Sequence, residues 1–417
     1  MKKIILAASL FSVTLSFLTS CNSECNCGET CTCDQYCVCT KCKHNQDVEN
    51  PVNPETPVTP TNPYGIPDDS QAGDAPSVDA PNTNIPNIQT EVTGSGTDAV
   101  LTINMTGVQD PLTYEWLTLA GTGQGDQNVW VTVDGKPKSI VVYNNDGNEG
   151  EAVLADLVFT VDNSGSMGEE ADAIARDIMA WSQLLSQSGL NVKFGVVGYG
   201  DNQYGIDGGM NMDNIDVLNN FLSGRNVSGT YRTFGFYGYD ANRLEGLALS
   251  SSNGYYNGSY NECGALAIRF ADQQFNFRPG ANRIYVNFTD EPNQPSGYED
   301  FSVEFFKDQS NWPAAKGTVH TVYSDYQFTD NNWNVREQPW LISDYTGGTK
   351  LFTSSSFSGI TLQSLPVTGA MQHSYIIRFT NIGEFMDGQP HEVTMTIYTP
   401  DGRVKAVKTF TVTFGQS

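Results

Sequence analysis

The segment Asp162-Asn163-Ser164-Gly165-Ser166-Met167 offers one carboxylate and two hydroxyls at alternate positions, between the apolar run Leu154 to Val161 and a helical pattern. Oxygen donors of this kind suit a hard cation such as Mg²⁺, which takes near-octahedral oxygen ligands and keeps several waters. In an open α/β sheet, ligands gather where strands end and helices begin. Alone, the string reads equally well as a polar turn capping a helix. Two further loops bear on the choice. Asp290-Glu291-Pro292 follows the strand pattern Arg283 to Thr289, and Asn257 to Glu262 precedes a second helical pattern. Three such loops at the strand ends of one sheet can meet around a single cation. The oxygen-bearing side chains in these loops include Asp162, Ser164, Ser166, Ser259, Glu262 and Asp290. Glu262 also reads as an acid favoured by a helix N-terminus, and Asp290 as a loop cap.

The elements that must position these side chains lie between about 151 and 362. Short apolar runs at Leu154 to Val161, Val192 to Tyr199, Arg283 to Thr289 and Thr318 to Tyr323 suit a buried parallel sheet. Helical patterns at Glu169 to Ser186, Glu262 to Phe275 and Tyr298 to Asn311 alternate with them. The expected fold class is α/β, a doubly wound and mostly parallel sheet with right-handed crossovers. On either side, at 88–150 and 363–417, the alternation is that of half-buried strands, with Asp134-Gly135, Asn145-Asp146-Gly147 and Asp401-Gly402 supplying turn chemistry. The two flanks are expected to close one β-sandwich with the α/β domain inserted between them. Two separate β modules are the alternative.

The set Asp162, Ser164, Ser166, Glu262 and Asp290 resembles the metal-ion-dependent adhesion site of von Willebrand factor A-type domains. The resemblance covers roughly 200 residues and includes Phe194-Gly195-Val196-Val197-Gly198-Tyr199-Gly200-Asp201 and Thr346-Gly347-Gly348. It implies that Asp162, Ser164 and Ser166 ligate the metal or hold its waters, and that Asp290 completes the site from behind them. Many members carry a Thr in the third loop. Integrin β-type members use a Glu before the helix, which Glu262 matches, while Ser259 and Asn261 stand where those relatives have an Asp and a Pro next to a further calcium site. The implied cofactor is Mg²⁺, or Mn²⁺ or Ca²⁺ in its place. The same analogy implies a switch in which the last helical segment, Ser358 to Leu365, tilts the β flank.

A cation held by neutral hydroxyls and few carboxylates stays electrophilic, so the expected output is binding, to a protein or glycan partner that offers a carboxylate. Catalysis would need a base beside the cation. The 4 His are His44, His320, His373 and His391, none in the three loops, and Gly165-Ser166-Met167-Gly168 does not match the Gly-x-Ser-x-Gly nucleophile elbow. An enzyme is therefore not expected. A net charge of −25 argues against nucleic acid, whose phosphates need clustered cations. Between Asp201 and Tyr260, the run Tyr231 to Tyr239 mixes rigid aromatics with small polar residues, as recognition loops do; it reads equally as an edge strand with loops. Asp207, Asp213 and Asp216 read as turn residues.

The amino-terminal region concerns placement in the cell. Lys2, Lys3, the apolar stretch Ile4 to Leu18 and Leu18-Thr19-Ser20-Cys21 read as a secretory signal ending at a cysteine, and resemble the lipobox of bacterial lipoproteins. That implies a signal peptide over 1–20, acylation at Cys21 and a membrane-anchored envelope protein, at the outer membrane or cell surface. Eight of the 9 cysteines fall in the Cys-rich segment 21–43, with Cys-x-Cys pairs six residues apart. A disulfide knot is favoured by the oxidising compartment, and a thiolate cluster resembling metallothionein by the spacing. Residues 44–87, rich in Pro, Thr, Asn and Asp, read as an extended acidic stalk. Cys263 reads as a small buried apolar residue. Two functions follow: a metal-dependent adhesion module, or an envelope scaffold or fimbria-associated assembly subunit in which the metal is structural.

Overall fold

In a computed structural model the described residues are 62, 64–77, 79–80, 82–83, 88–144, 152–168, 170–200, 205–223, 236, 262–324, 337–354, 357 and 361–415. The Cys-rich segment, Cys21, His44, Asp201, Ser259 and all of Tyr231 to Tyr239 except Phe236 lie outside them. Among the described residues no helix is long and apolar enough to cross a membrane.

The central sheet has six strands in the order β12-β11-β10-β7-β8-β9. These are β7 (Leu154–Asp162), β8 (Asn191–Tyr199), β9 (Ile206–Asp213), β10 (Asn282–Thr289), β11 (Thr318–Tyr323) and β12 (Lys350–Phe352). All pairings are parallel except that of the edge strand β9, which runs antiparallel to β8. Alternate residues feed two cores. Leu157, Phe159 and Val161 of β7, with Ile284, Val286 and Phe288 of β10, join α1 (Ala171–Gln187) and α2 (Ile215–Ser223) on one face. Val158, Val197, Tyr199 and Tyr285 face the opposite core with α3 (Gly264–Gln274) and α4 (Trp340–Thr346). Burial on both faces is why these strands read as unbroken apolar runs.

Two further sheets are formed by the described residues, antiparallel but for one parallel edge pairing. One pairs β2 (Ile88–Thr93), β3 (Val100–Met105), β13 (Tyr375–Phe379) and β6 (Val141–Asn144). The other pairs β1 (Asn82–Thr83), β15 (Lys405–Thr413), β14 (Pro390–Tyr398), β4 (Val129–Val133) and β5 (Lys136–Lys138). Each sheet mixes strands from before and after the α/β part, and residues from both sheets share one core around Leu101, Ile103, Val131, Ile377 and Met395. β13 alternates between two cores: Tyr375 and Ile377 face the sandwich, whereas Ile376 packs into the α/β core. The last helix, α5 (Pro366–Gln372), is tied to both parts, since Thr368 Oγ1 accepts from Trp181 Nε1 at 2.8 Å and Ala370 O accepts from Gly107 N at 2.7 Å.

Several expectations need correction. Tyr298 to Asn311 is not an α-helix: it forms two short 3₁₀ turns, Glu299–Phe301 and Val303–Lys307, whose Phe301, Val303 and Phe306 plug the second core. Asp207 and Asp213 lie on β9 and Asp216 in the first turn of α2, not in turns, because the Gly-rich spacing hid an edge strand. The last helix begins at Pro366, beyond the expected Ser358 to Leu365, whose described part holds only a 3₁₀ turn at Leu362–Ser364. Part of the expected stalk is laid on the sandwich. Ile66 and Ala80 are buried, Lys138 Nζ pairs with Asp69 Oδ2 at 3.0 Å, and Asn82 and Thr83 pair in parallel with Lys405 and Ala406. Isolated apolar residues suffice there because the sandwich supplies the partner surface.

A buried clamp fixes the starting end of the sheet. The Asp156 carboxylate, fully buried on β7, accepts from Arg278 N and from Arg278 Nε, both at 2.7 Å. The same guanidinium donates to Ala155 O at 2.8 Å and Asn191 O at 2.9 Å, bracing the turn before β10 against β7 and β8. Asp156→Ala leaves this guanidinium without its counter-ion and is expected to cost about 3 kcal/mol in chemical denaturation, whereas a loss under about 1 kcal/mol would contradict the clamp. Burial also pushes the His320 imidazole on β11 down to about 4, from an ordinary value near 6.5. The folded state therefore binds this proton less readily than the unfolded chain, and the stability it contributes above pH 6.5 is lost as pH falls towards 4. An NMR titration is expected to find His320 still neutral at about pH 5, and an ordinary midpoint near 6.5 would refute its burial.

Candidate metal centre

The parallel register of β7 and β10 sets Val161 beside Phe288, so Asp162 and Thr289 end their strands side by side and Asp290 follows at once. Thr289 Oγ1 donates to Asp162 Oδ2 at 2.8 Å, and Ser164 N donates to Asp162 Oδ1 at 2.9 Å. Asp162 is thus buried and held from both sides. The chain then turns through Gly165–Gly168, where the buried side chain of Met167 enters the core and pins the loop. This turn leaves Ser164 inside and Ser166 at the rim, with their hydroxyls 3.0 Å apart. Ser166 Oγ in turn donates to Asp290 Oδ1 at 3.1 Å.

Glu262 is delivered from the other side, just before α3. Gln294 binds it twice: its backbone N–H donates to Glu262 O at 3.1 Å, and its Nε2 to Glu262 Oε2 at 3.2 Å. Asn293 stitches the same loops together, accepting from Ala265 N at 3.1 Å and donating to Glu337 Oε2 at 2.9 Å. The Ser164 hydroxyl reaches Glu262 and favours its charged form. Hydrogen bonds therefore join Asp162, Ser164, Ser166 and Asp290 in one chain, and Glu262 stands beside it, across the Gly200 floor from Asp162.

Gly200 closes the floor of the site. Its φ of +99° disfavours any side chain, and an added Cβ would stand 3.2 Å from both Asp162 Oδ1 and Glu262 Cγ. Gly200, Thr289, Glu291, Asn293 and Gln294 were not identified as site residues from sequence. Gly200 and Thr289 lie at strand ends of the doubly wound pattern, which is a signal of position; Asn293 and Gln294 carry none.

The electrostatics are those of crowded acids. Burial, then Glu262 and Asp290, hold the Asp162 carboxyl well above the usual range. Burial, then Glu291 and Asp290, push Glu262 up to about 7, and burial with Asp290 and Asp162 pushes Glu291 up to about 7. Glu291 Oε2 is buried without a hydrogen-bond partner among the described residues. Such a cluster is stabilised by a cation. No three carboxylate, His or Cys side chains among the described residues close around one point, so this is no carboxylate cage. The donors fit a cation held by the Ser164 and Ser166 hydroxyls with one carboxylate and waters. Cys263, beside Glu262, is buried with its thiol pushed up to about 12, which makes it inert packing. Phe236, the one described residue of the expected recognition loop, is buried in the first core and not available to a partner.

The described His residues stand elsewhere. His320 is on β11 near the starting end of the sheet, His373 follows α5, and His391 is on β14 between Asp134 and Asp387.

No known sequence family matches this chain, and no curated protein does. Among solved structures it is similar to an aerotolerance-related membrane protein from Bacteroides fragilis, at 14% identity and a TM-score of 0.29, over 49% of this chain and 94% of that one. It is also similar to the pilus adhesin SpaC from Lactobacillus rhamnosus GG, at 12% identity and a TM-score of 0.31, over 64% of this chain and 32% of that one. Proximal thread matrix protein 1 from the mussel byssus is similar at 12% identity and a TM-score of 0.29, over 53% of this chain and 48% of that one.

Proposed function

We propose that the α/β part is a von Willebrand factor A-type binding domain, and that the chain is the metal-dependent adhesion module of a lipid-anchored bacterial envelope protein. The observation that carries this reading is the contact chain from Asp162 through Ser164 and Ser166 to Asp290, with Glu262 drawn in from a third loop. Ser164 and Ser166 would be the hydroxyl ligands. Asp162 and Asp290, each engaged by a loop hydroxyl or N–H, would orient waters, and Glu262 would supply the nearby carboxylate. A bound Mg²⁺, or Mn²⁺ or Ca²⁺, would supply an electrophilic position for a partner's carboxylate. Ser166 and the half-buried Asp290 stand at the rim, where a protein or glycan partner has access. No described His reaches these loops, so binding without turnover is the output proposed. Anchoring through Cys21 rests on the amino-terminal sequence alone.

The soluble chain beginning after Cys21 is expected to bind about one Mg²⁺ or Mn²⁺ in calorimetry, and Asp162→Ala is expected to abolish the signal. Heat signals that are equal in the wild type and the variant would defeat the proposal. Because Asp162 already lies buried among acids, the same substitution is expected to leave the metal-free melting temperature unchanged or raised. A large drop without metal would instead give Asp162 a purely architectural role.

A further inference from the structure

At the end of the sheet opposite the metal loops, a cavity of about 490 Å³ opens between the sandwich and the α/β part. Its volume is in the range of small-molecule sites. The floor is the first residues of β10 and β11, including Ile284, Thr318 and His320; one wall is α5, and the other is the loop after β3 carrying Gln109, Tyr114 and Trp116. No described lining residue carries a fixed charge, in a chain whose net charge is −25. Neutral hydrogen-bonding groups and aromatic rings share the surface.

The cavity is built, not left over. Trp116 stacks on His373 with ring centres 5.3 Å apart, and Gly369 lets it seat against α5, since a Cβ there would come within 2.5 Å of the indole. Gly107 N donates to Ala370 O at 2.7 Å, closing the sandwich onto that helix. The loop itself is held in a strained form. Tyr114 has φ +61°, which is unusual for an aromatic residue, and yet the residue is 73% exposed. Asp110 fixes this turn: its carbonyl accepts from Tyr114 N at 2.8 Å and its carboxylate from Leu112 N at 2.7 Å. Strain that presents a bare aromatic at a cavity mouth suits recognition more than packing.

His320 supplies an oriented donor. Thr349 N donates to His320 Nδ1 at 3.0 Å, so in the neutral ring the proton sits on Nε2, which has no hydrogen-bond partner among the described residues. Thr318 and Thr349 add hydroxyls on the same lining, and Gln109 an amide.

We propose that this cavity is a metal-independent binding site for a neutral saccharide, whose ring packs on Tyr114 and Trp116 while its hydroxyls bond Thr318, Gln109 and His320 Nε2–H. Among the described lining residues an anion would find no cation and a cation no carboxylate, whereas a purely apolar guest would leave these polar groups unpaired. A neutral polyol with apolar C–H faces satisfies both surfaces.

The test titrates the soluble chain, with EDTA present throughout, by tryptophan fluorescence and calorimetry. The probes are the methyl glycosides of glucose, galactose and mannose, N-acetylglucosamine, and benzyl alcohol as an apolar control. At least one sugar is expected to bind saturably with a Kd of about 1 mM or tighter. Tyr114→Ala, on an exposed ring, is expected to weaken it about tenfold, and the near-isosteric Thr318→Val about three- to tenfold, with the melting temperature of each variant reported alongside. Binding that both variants leave unchanged would overturn the proposal. So would saturation by benzyl alcohol without any sugar, or no saturable binding of any probe. Because EDTA removes divalent metal, failure here is separate from failure of the adhesion-site reading, which Asp162→Ala tests.

Discussion

The site rests on one constraint, the in-register parallel pairing of β7 with β10. That pairing sets Asp162 beside Thr289 and places Asp290 next, so three oxygen-bearing groups share one edge before any loop takes shape. Both strands are buried on both faces, and a slip of one residue would exchange their two core faces. The hydrophobic cores therefore enforce the geometry of the acids. The cost is a cluster of carboxylates that raise one another's pKa, which the fold tolerates because core packing, not the loops, holds the strands.

Much of this could be read from sequence, for identifiable reasons. Thr318 to Tyr323 is recovered residue for residue as β11, and Leu154 to Val161, Val192 to Tyr199 and Arg283 to Thr289 each lack a single terminal residue of the observed strand. Runs buried on both faces are bounded sharply by polar loops, so their limits show. β9 was missed because Gly208 and Gly209 and its several Asp and Asn residues read as turn chemistry, although neighbouring Val197 and Gly198 pair with those glycines. Tyr298 to Asn311 carries a helical apolar spacing yet folds as 3₁₀ turns, and tertiary packing of Phe301 and Phe306 outweighs that local preference. In the site, oxygen-bearing residue types mark the three loops, and the family resemblance singles out the five ligand candidates among them. Asn293 and Gln294 could not, because their role is to bridge two loops whose nearness only the folded chain creates.

Two regions at opposite ends of the sheet differ in charge. The carboxyl ends of the strands gather Asp162, Glu262, Asp290 and Glu291, while the cavity at the opposite end has no fixed charge among its described lining residues. Helix α5 and the turn around Trp116 line the neutral cavity, and their close seating depends on Gly107 and Gly369, where any side chain would collide with His373 or the indole. The fold thus keeps the acidic cluster and the neutral cavity apart, with the six-stranded sheet between them.

Asn144, at the end of β6, and Tyr375, at the start of β13, are direct antiparallel partners, and the α/β part occupies the sequence between them. Its entry and exit are therefore a strand spacing apart and locked by ladder hydrogen bonds. Mechanically, that pair is a shunt: tension carried along the sandwich crosses from β6 to β13 without passing through the central sheet. An inserted domain mounted this way lies off the load path of its support, so tension applied along the sandwich alone leaves the central sheet unloaded.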